Sequence, residues 1–268
     1  MSLLNYNYSS RVLEMDTKIN MILPEPRPRP EGSDERIERK LPSDGFPTLY
    51  LLHGLTEDFT AWIRKSSIER YASAKNLAVV MPDADASFYT DMACGKDYFK
   101  FLNGELLDVA RQYFPLSKRR EDNFVAGLSM GGYGAFKWAL REPEKFAAAA
   151  SLSGSLDIAR VVEGVEEPEE RKKLEWVFGD LESLKGSKDD PVHLARELAN
   201  SEGPRPKLFQ CCGKDDFLYE PNVTFKRTVD ELPLDLRYSE EEGTGHEWDY
   251  WDRMIQQVIE WLPLTNRA

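Results

Sequence analysis

The chain has 268 residues, 41% hydrophobic and 11% aromatic, which is enough for one α/β domain with a full core. Its formal net charge of −12 repels phosphate backbones and anionic lipid, which argues against nucleic-acid and membrane-surface binding. No apolar run approaches the ~18 residues of a membrane span, and three cysteines, Cys94, Cys211 and Cys212, cannot make a paired disulfide framework.

The opening MSLLNYNYSS lacks the basic start and apolar length of a secretory signal, so a cytoplasmic, reducing location is expected. RVLEM and TKINMIL read as the first strands. They lead into PEPRPRPEGSDERIERKLPSDGFP, a proline-rich, charged surface loop whose alternating prolines make it a stiff connection without PxxP spacing. TLYLL, LAVVM, NFVAG, FAAAAS and KLFQCC are short continuous apolar runs, as expected of strands buried on both faces, and LDLRYSE is the last strand. FKFLNGELLDVARQYF and YGAFKWALREP, between strands, carry apolar residues at helical spacing, and WDYWDRMIQQVIEWL closes the chain as an amphipathic helix. This alternation predicts a doubly wound, mainly parallel sheet in a single domain spanning 1–268. The rhythm breaks between Gly154 and Pro206, so residues about 155–205 are expected to form a charged insertion over one end of the sheet.

The stretch AGLSMGGYGAF places Gly127, Gly131, Gly132 and Gly134 around Ser129, after an apolar strand and at the start of a helix. A phosphate loop needs Lys-Ser/Thr after its last glycine, whereas Gly132 is followed by Tyr133 and Gly134. A dinucleotide G-x-G-x-x-G cannot be placed either, because Ser129 and Lys137 stand where glycines are required. Gly127-x-Ser129-x-Gly131 does match the strand-to-helix elbow of α/β-hydrolases, which exposes a nucleophilic serine and aims the next N–H, that of Met130, at an oxyanion.

A serine needs a base to take its proton, and the chain offers His53, His193 and His246. The elbow's chain order, serine then acid then histidine, excludes His53. His193 lies in DDPVHLAREL, where Asp189 or Asp190 caps a helix that begins near Pro191, and it reads as a first-turn surface residue. His246, in GTGHEWDYW between the last strand and the closing helix, is the expected base. The orienting acid should follow the next-to-last strand, where GKDDFLY supplies Asp216, with Asp215 as the alternative. The loop after TLYLL supplies the second oxyanion donor, the Leu55 N–H, while His53 shapes that loop by hydrogen bonding within it. Trp62, Phe88, Tyr89, Trp176 and Trp248 flank these motifs, with Phe178 nearby, and together suggest a small apolar acyl pocket suited to acetyl to butyryl groups.

YLLHGLTEDFTAW, MPDADASFYTDM, VAGLSMGGYGAFKWAL, SLSGSL, GKDDFLY and GHEWDYW, in this order, resemble the esterase D or putative esterase family of α/β-hydrolases. The likeness runs from about Ser10 to Leu262 and is greatest to the bacterial tributyrin-esterase branch, whose opening strands RVLEMDTKINMILPE resembles. It implies a carboxylesterase of short acyl esters that takes a small-molecule ester and needs neither cofactor nor metal. By the same resemblance Ser129, Asp216 and His246 form a catalytic triad, with Leu55 and Met130 at the oxyanion. The family also holds S-formylglutathione hydrolases, feruloyl and acetylxylan esterases and mycolyltransferases. Acetylated or feruloylated carbohydrate, S-formylglutathione, acyl transfer to an alcohol, and a non-catalytic ligand-binding role therefore stand as alternatives, and a homo-oligomer is left open.

Overall fold

A computed structural model of the chain describes residues 1–25 and 41–264, so most of the proline-rich connection lies outside the described residues. An antiparallel hairpin of β1 (Ser2–Ser10) and β2 (Met15–Leu23) is followed by β3 (Thr48–Leu52) and the short helices α1 (Ala61–Lys65) and α2 (Ile68–Ser73). Next come β4 (Ala78–Pro82) and a helix that begins as α3 (Tyr98–Lys100), widens into a π turn at Phe101–Leu106 and continues as α4 (Leu107–Tyr113). The remainder alternates β5 (Asn123–Leu128), α5 (Met130–Arg141) and β6 (Ala148–Leu152), then α6 (Ile158–Glu163), α7 (Pro168–Phe178) and α8 (Pro191–Ala199). It ends with β7 (Lys207–Gly213), α9 (Tyr219–Asp230), β8 (Leu236–Glu241) and α10 (Trp248–Trp261).

All the strands join one sheet in the order β1-β2-β4-β3-β5-β6-β7-β8, parallel from β4 to β8, with the hairpin added antiparallel on β4. The continuous apolar runs have a direct cause. Tyr50 and Leu52 enter the core under α5, while Leu49 and Leu51 enter the opposite core under α2 and α10, so neither parity of a central strand meets water. Parallel strands all finish at the same edge, and that edge of an open α/β sheet is where its loops build sites. Among the described residues, no helix is long and apolar enough to cross a membrane. All three cysteines are free, and burial holds the Cys211 thiol up at about 12.

One expectation is corrected. RVLEM is a turn, not a strand: residues 11–14 join β1 to β2, and Glu14 takes the left-handed conformation at φ 50°. The Glu105 carboxylate holds this turn, accepting from the Arg11 N–H at 2.7 Å, the Val12 N–H at 3.3 Å and the Ser10 hydroxyl. The first strand is instead the opening SLLNYNYSS, in which Leu4, Tyr6 and Tyr8 alternate inward onto the core. Between β6 and β7 the chain forms α6, α7, a 3₁₀ turn at Leu181–Ser183 and α8, which packs against α5 and α9.

Candidate active site

The turn between β5 and α5 holds Ser129 at φ 52° and ψ −120°, a conformation an L-residue keeps only when its surroundings impose it. The surroundings are backbone. A Cβ at Gly127 would lie 2.3 Å from the Gly131 carbonyl oxygen, and one at Gly131 would lie 2.4 Å from the Leu52 carbonyl oxygen. Both glycines of the motif are therefore required by contact, which lets α5 start directly against β3. The Ser129 N–H donates to the Leu152 carbonyl at 2.8 Å, and its own carbonyl accepts the opening helical bond from Tyr133 at 3.0 Å. Met130 is the first helical residue, so its N–H has no partner within the helix.

His246 and Asp216 meet. Nδ1 of His246 donates to Oδ2 of Asp216 at 2.8 Å, and Oδ1 of Asp216 accepts from the Leu218 N–H at 2.8 Å. This sets the histidine tautomer, leaving Nε2 as the acceptor. Asp215 takes another part: its N–H bonds the Thr244 carbonyl at 3.1 Å, and with the bond from Lys214 N–H to the Glu241 carbonyl at 2.9 Å it fastens the loop after β7 to the loop after β8. The His246 ring stands edge-on to Trp251, centroids 4.7 Å apart, and the Trp251 indole donates to the Ser153 hydroxyl at 3.2 Å. Ser153 directly follows β6, so His246, through Trp251, and Ser129, through Leu152, are anchored on the same strand end.

His53 is buried with both ring nitrogens engaged, one within its own loop and one on the loop after β4. Nδ1 donates to the Gly54 carbonyl at 2.8 Å and Nε2 accepts from the Ala84 N–H at 3.1 Å. Burial pushes its pKa down, which keeps the ring neutral and this bonding fixed. Leu55, next to this loop's turn, is exposed, and Gly54 lies against the Leu128 side chain beside Ser129. His193 stands on the surface in the first turn of α8, 3.3 Å from Glu197, with Asp190 capping the helix through the Val192 N–H.

The flanking aromatics divide. Trp62 and Tyr89 are each 1% exposed and spend their polar atoms at the end of β3, Trp62 on the Leu52 carbonyl at 2.9 Å and Tyr89 on the carbonyl of the following residue, His53, at 2.8 Å. They form a wall behind the loop rather than an open surface. Phe88 packs between Tyr133 and Phe178, Trp248 stands edge-on to Trp62, and Trp176 is exposed on α7. Phe217 is an unforeseen neighbour, its ring centroid 4.6 Å from that of His246 while the residue is 74% exposed.

Lys137 was also not foreseen. It is fully buried on α5, donating to the Phe88 carbonyl at 3.1 Å, to Asp189 at 3.2 Å and to the Thr90 hydroxyl. Burial, offset in part by the Asp189 charge, brings its pKa down to about 8. The ammonium thereby holds a turn in which Phe88 and Tyr89 both have positive φ, 49° and 52°. A lysine flanked by apolar and aromatic residues in YGAFKWAL is the signal that could have marked it.

Residues 10–262 match the model of the family described as Putative esterase. The acetyl esterase of Caldicellulosiruptor saccharolyticus is 34% identical over 268 residues, spanning 98% of each chain. Among solved structures, the substrate-bound fluorophosphonate-binding serine hydrolase FphF of Staphylococcus aureus superposes with a TM-score of 0.86 at 36% identity, over 97% of this chain and 98% of that one. The S-formylglutathione hydrolase FrmB of the same organism, as apoenzyme, gives a TM-score of 0.83 at 35% identity with the same coverage. A strained serine elbow on a mainly parallel sheet is thus matched along nearly the whole chain by serine hydrolases and esterases, and this chain belongs to the putative esterase family, carboxylic ester hydrolases of the α/β-hydrolase fold.

Proposed function

We propose that the chain is a serine carboxylesterase that works through an acyl-enzyme, with Ser129 as nucleophile, His246 as base and Asp216 as orienting acid. The bond from His246 Nδ1 to Asp216 carries this reading, because it presents Nε2 as a proton acceptor at the strand edge where Ser129 is held in its elbow. Ser129 Oγ attacks the ester carbonyl carbon while its proton passes to His246 Nε2. The carbonyl oxygen becomes an oxyanion between the Leu55 and Met130 N–H groups. Collapse breaks the carbon–oxygen bond to the alcohol, which leaves with the proton from His246. Water repeats the sequence and releases the acid.

The substrate is a small-molecule ester with a short acyl group, acetyl to butyryl. The 34% identical acetyl esterase supports this, as does the crowding of Phe88 by Tyr133 and Phe178. The 35% identical S-formylglutathione hydrolase favours a second reading, a short acyl thioester taken by the same nucleophile. A reducing, cytoplasmic setting accords with the free thiols.

Labelling with a fluorophosphonate probe, followed by peptide mass spectrometry, tests the nucleophile. The expected adduct is on Ser129; an unlabelled Ser129 in folded protein would overturn the assignment. Rates on acetyl, butyryl and octanoyl esters beside S-formylglutathione then decide between the two substrates.

A further inference from the structure

Glu57 lies in the turn after β3, yet its side chain is only 9% exposed, unusual for a surface-loop glutamate. Both carboxylate oxygens are used. Oε2 accepts from the Gly54 N–H at 3.2 Å, within its own turn, which the Glu57 N–H closes onto the Gly54 carbonyl at 3.2 Å. Oε1 accepts from the Trp248 indole at 2.8 Å and from the Lys65 ammonium at 2.8 Å. Trp248 is two residues beyond His246 and is the first residue of α10. One carboxylate therefore joins the segment carrying Leu55 to the segment carrying His246, across 191 residues of sequence.

The arrangement is built. Lys65 stands over the Trp248 ring at 5.2 Å, and Trp62 packs edge-on against the same ring at 5.1 Å, contacts that hold the indole with its N–H toward Glu57. The bonds from the Trp248 indole and the Lys65 ammonium, both 2.8 Å, are in the short range of charge-assisted hydrogen bonds, and with the Gly54 bond at 3.2 Å they restrict the motion of both loops. An oxyanion donor and a base act on the same tetrahedral centre, so their separation must hold to a fraction of an ångström during turnover.

We infer that Glu57 is a positioning residue that fixes the distance between the Leu55 oxyanion donor and His246 through its bonds to Gly54 and Trp248. This rests on the catalytic roles proposed above for Leu55 and His246. It touches no reacting atom. Its removal leaves substrate binding intact and degrades the geometry that only the transition state uses, so kcat falls while KM holds.

The test uses Glu57→Gln, Trp248→Phe and the double variant in the full chain, with p-nitrophenyl acetate kinetics, fluorophosphonate labelling rates, thermal midpoints and the Trp248 indole ¹H–¹⁵N resonance. Glutamine keeps the volume but turns an N–H₂ toward donors. Each single variant is expected to lower kcat by about tenfold, with KM within about twofold. The double variant should be no slower than the worse single one, because both cut the same link. The indole proton should move upfield in Glu57→Gln as the charged acceptor is lost. Unchanged kcat in both singles, multiplying losses in the double, or an unmoved indole resonance would each overturn the inference. A loss of kcat matched by a collapse of the thermal midpoint would mean a merely structural role and overturn it too. A wild-type protein without turnover or labelling would overturn the esterase assignment together with the catalytic half of this inference, while the indole resonance still decides the link.

Discussion

Nδ1 of His246 stands 2.8 Å from Oδ2 of Asp216, and the aspartate side chain is fully buried at the contact. In the proposed mechanism a carboxylate so placed selects the tautomer and stabilises the imidazolium formed when the serine proton arrives. Asp216→Asn keeps the volume but faces the ring with an amide that can stabilise the wrong tautomer. Its kcat is expected to fall by on the order of 10⁴, whereas Asp215→Asn, whose bond to Thr244 uses only the backbone, should stay near wild type. Steady-state kinetics of the two variants on one ester checks this, and equal losses would contradict it.

Lys137 links α5 to the Phe88–Thr90 turn and to Asp189 from inside the core. Lys137→Met keeps the apolar stem but removes the ammonium, leaving the Phe88 carbonyl to the Thr90 hydroxyl and the Asp189 carboxylate to Arg141 at 3.8 Å. Breaking such a pair is expected to cost about 3–5 kcal/mol, read from urea unfolding at pH 7.5. The pH dependence has a definite sign. Because the folded lysine holds its proton less tightly than the unfolded one, the unfolded state binds more protons above pH ~8, and this residue's contribution to stability rises with pH up to ~10.4, where the unfolded side chain titrates. Wild-type stability should therefore gain on the Lys137→Met variant between pH 8 and 10, and a constant gap would contradict a lowered lysine pKa.

Phe217 leans on His246 while most of its surface faces water. An exposed ring at that point offers an apolar contact to the departing alcohol. Phe217→Ala is expected to lower the preference for phenyl acetate over ethyl acetate by about fivefold, the size of one aromatic contact, with thermal stability unchanged. An unaltered ratio of kcat/KM would remove the residue from the site.

The strands were legible where burial on both faces leaves a continuous apolar run, as in TLYLL and NFVAG, because that pattern is set by the local chain. The elbow was legible for the same reason: Gly127 and Gly131 answer to contacts a few residues away. TKINMIL was legible as a strand, but the first strand of the hairpin was not, since RVLE is bent into a turn by Glu105, a residue far along the chain. Lys137 and Glu57 were hidden likewise. A lysine in a helix and a glutamate in a turn read as solvated until folding brings Asp189 to the one and Trp248, 191 residues on, to the other.

The measurement that bears most directly on the proposed mechanism is the turnover of p-nitrophenyl acetate by Ser129→Ala, folded by circular dichroism and compared with wild type. The expected result is a loss in kcat on the order of 10⁴- to 10⁶-fold. Turnover within about tenfold of wild type would contradict Ser129 as the nucleophile, since the oxyanion donors and substrate binding alone leave only a small residual rate.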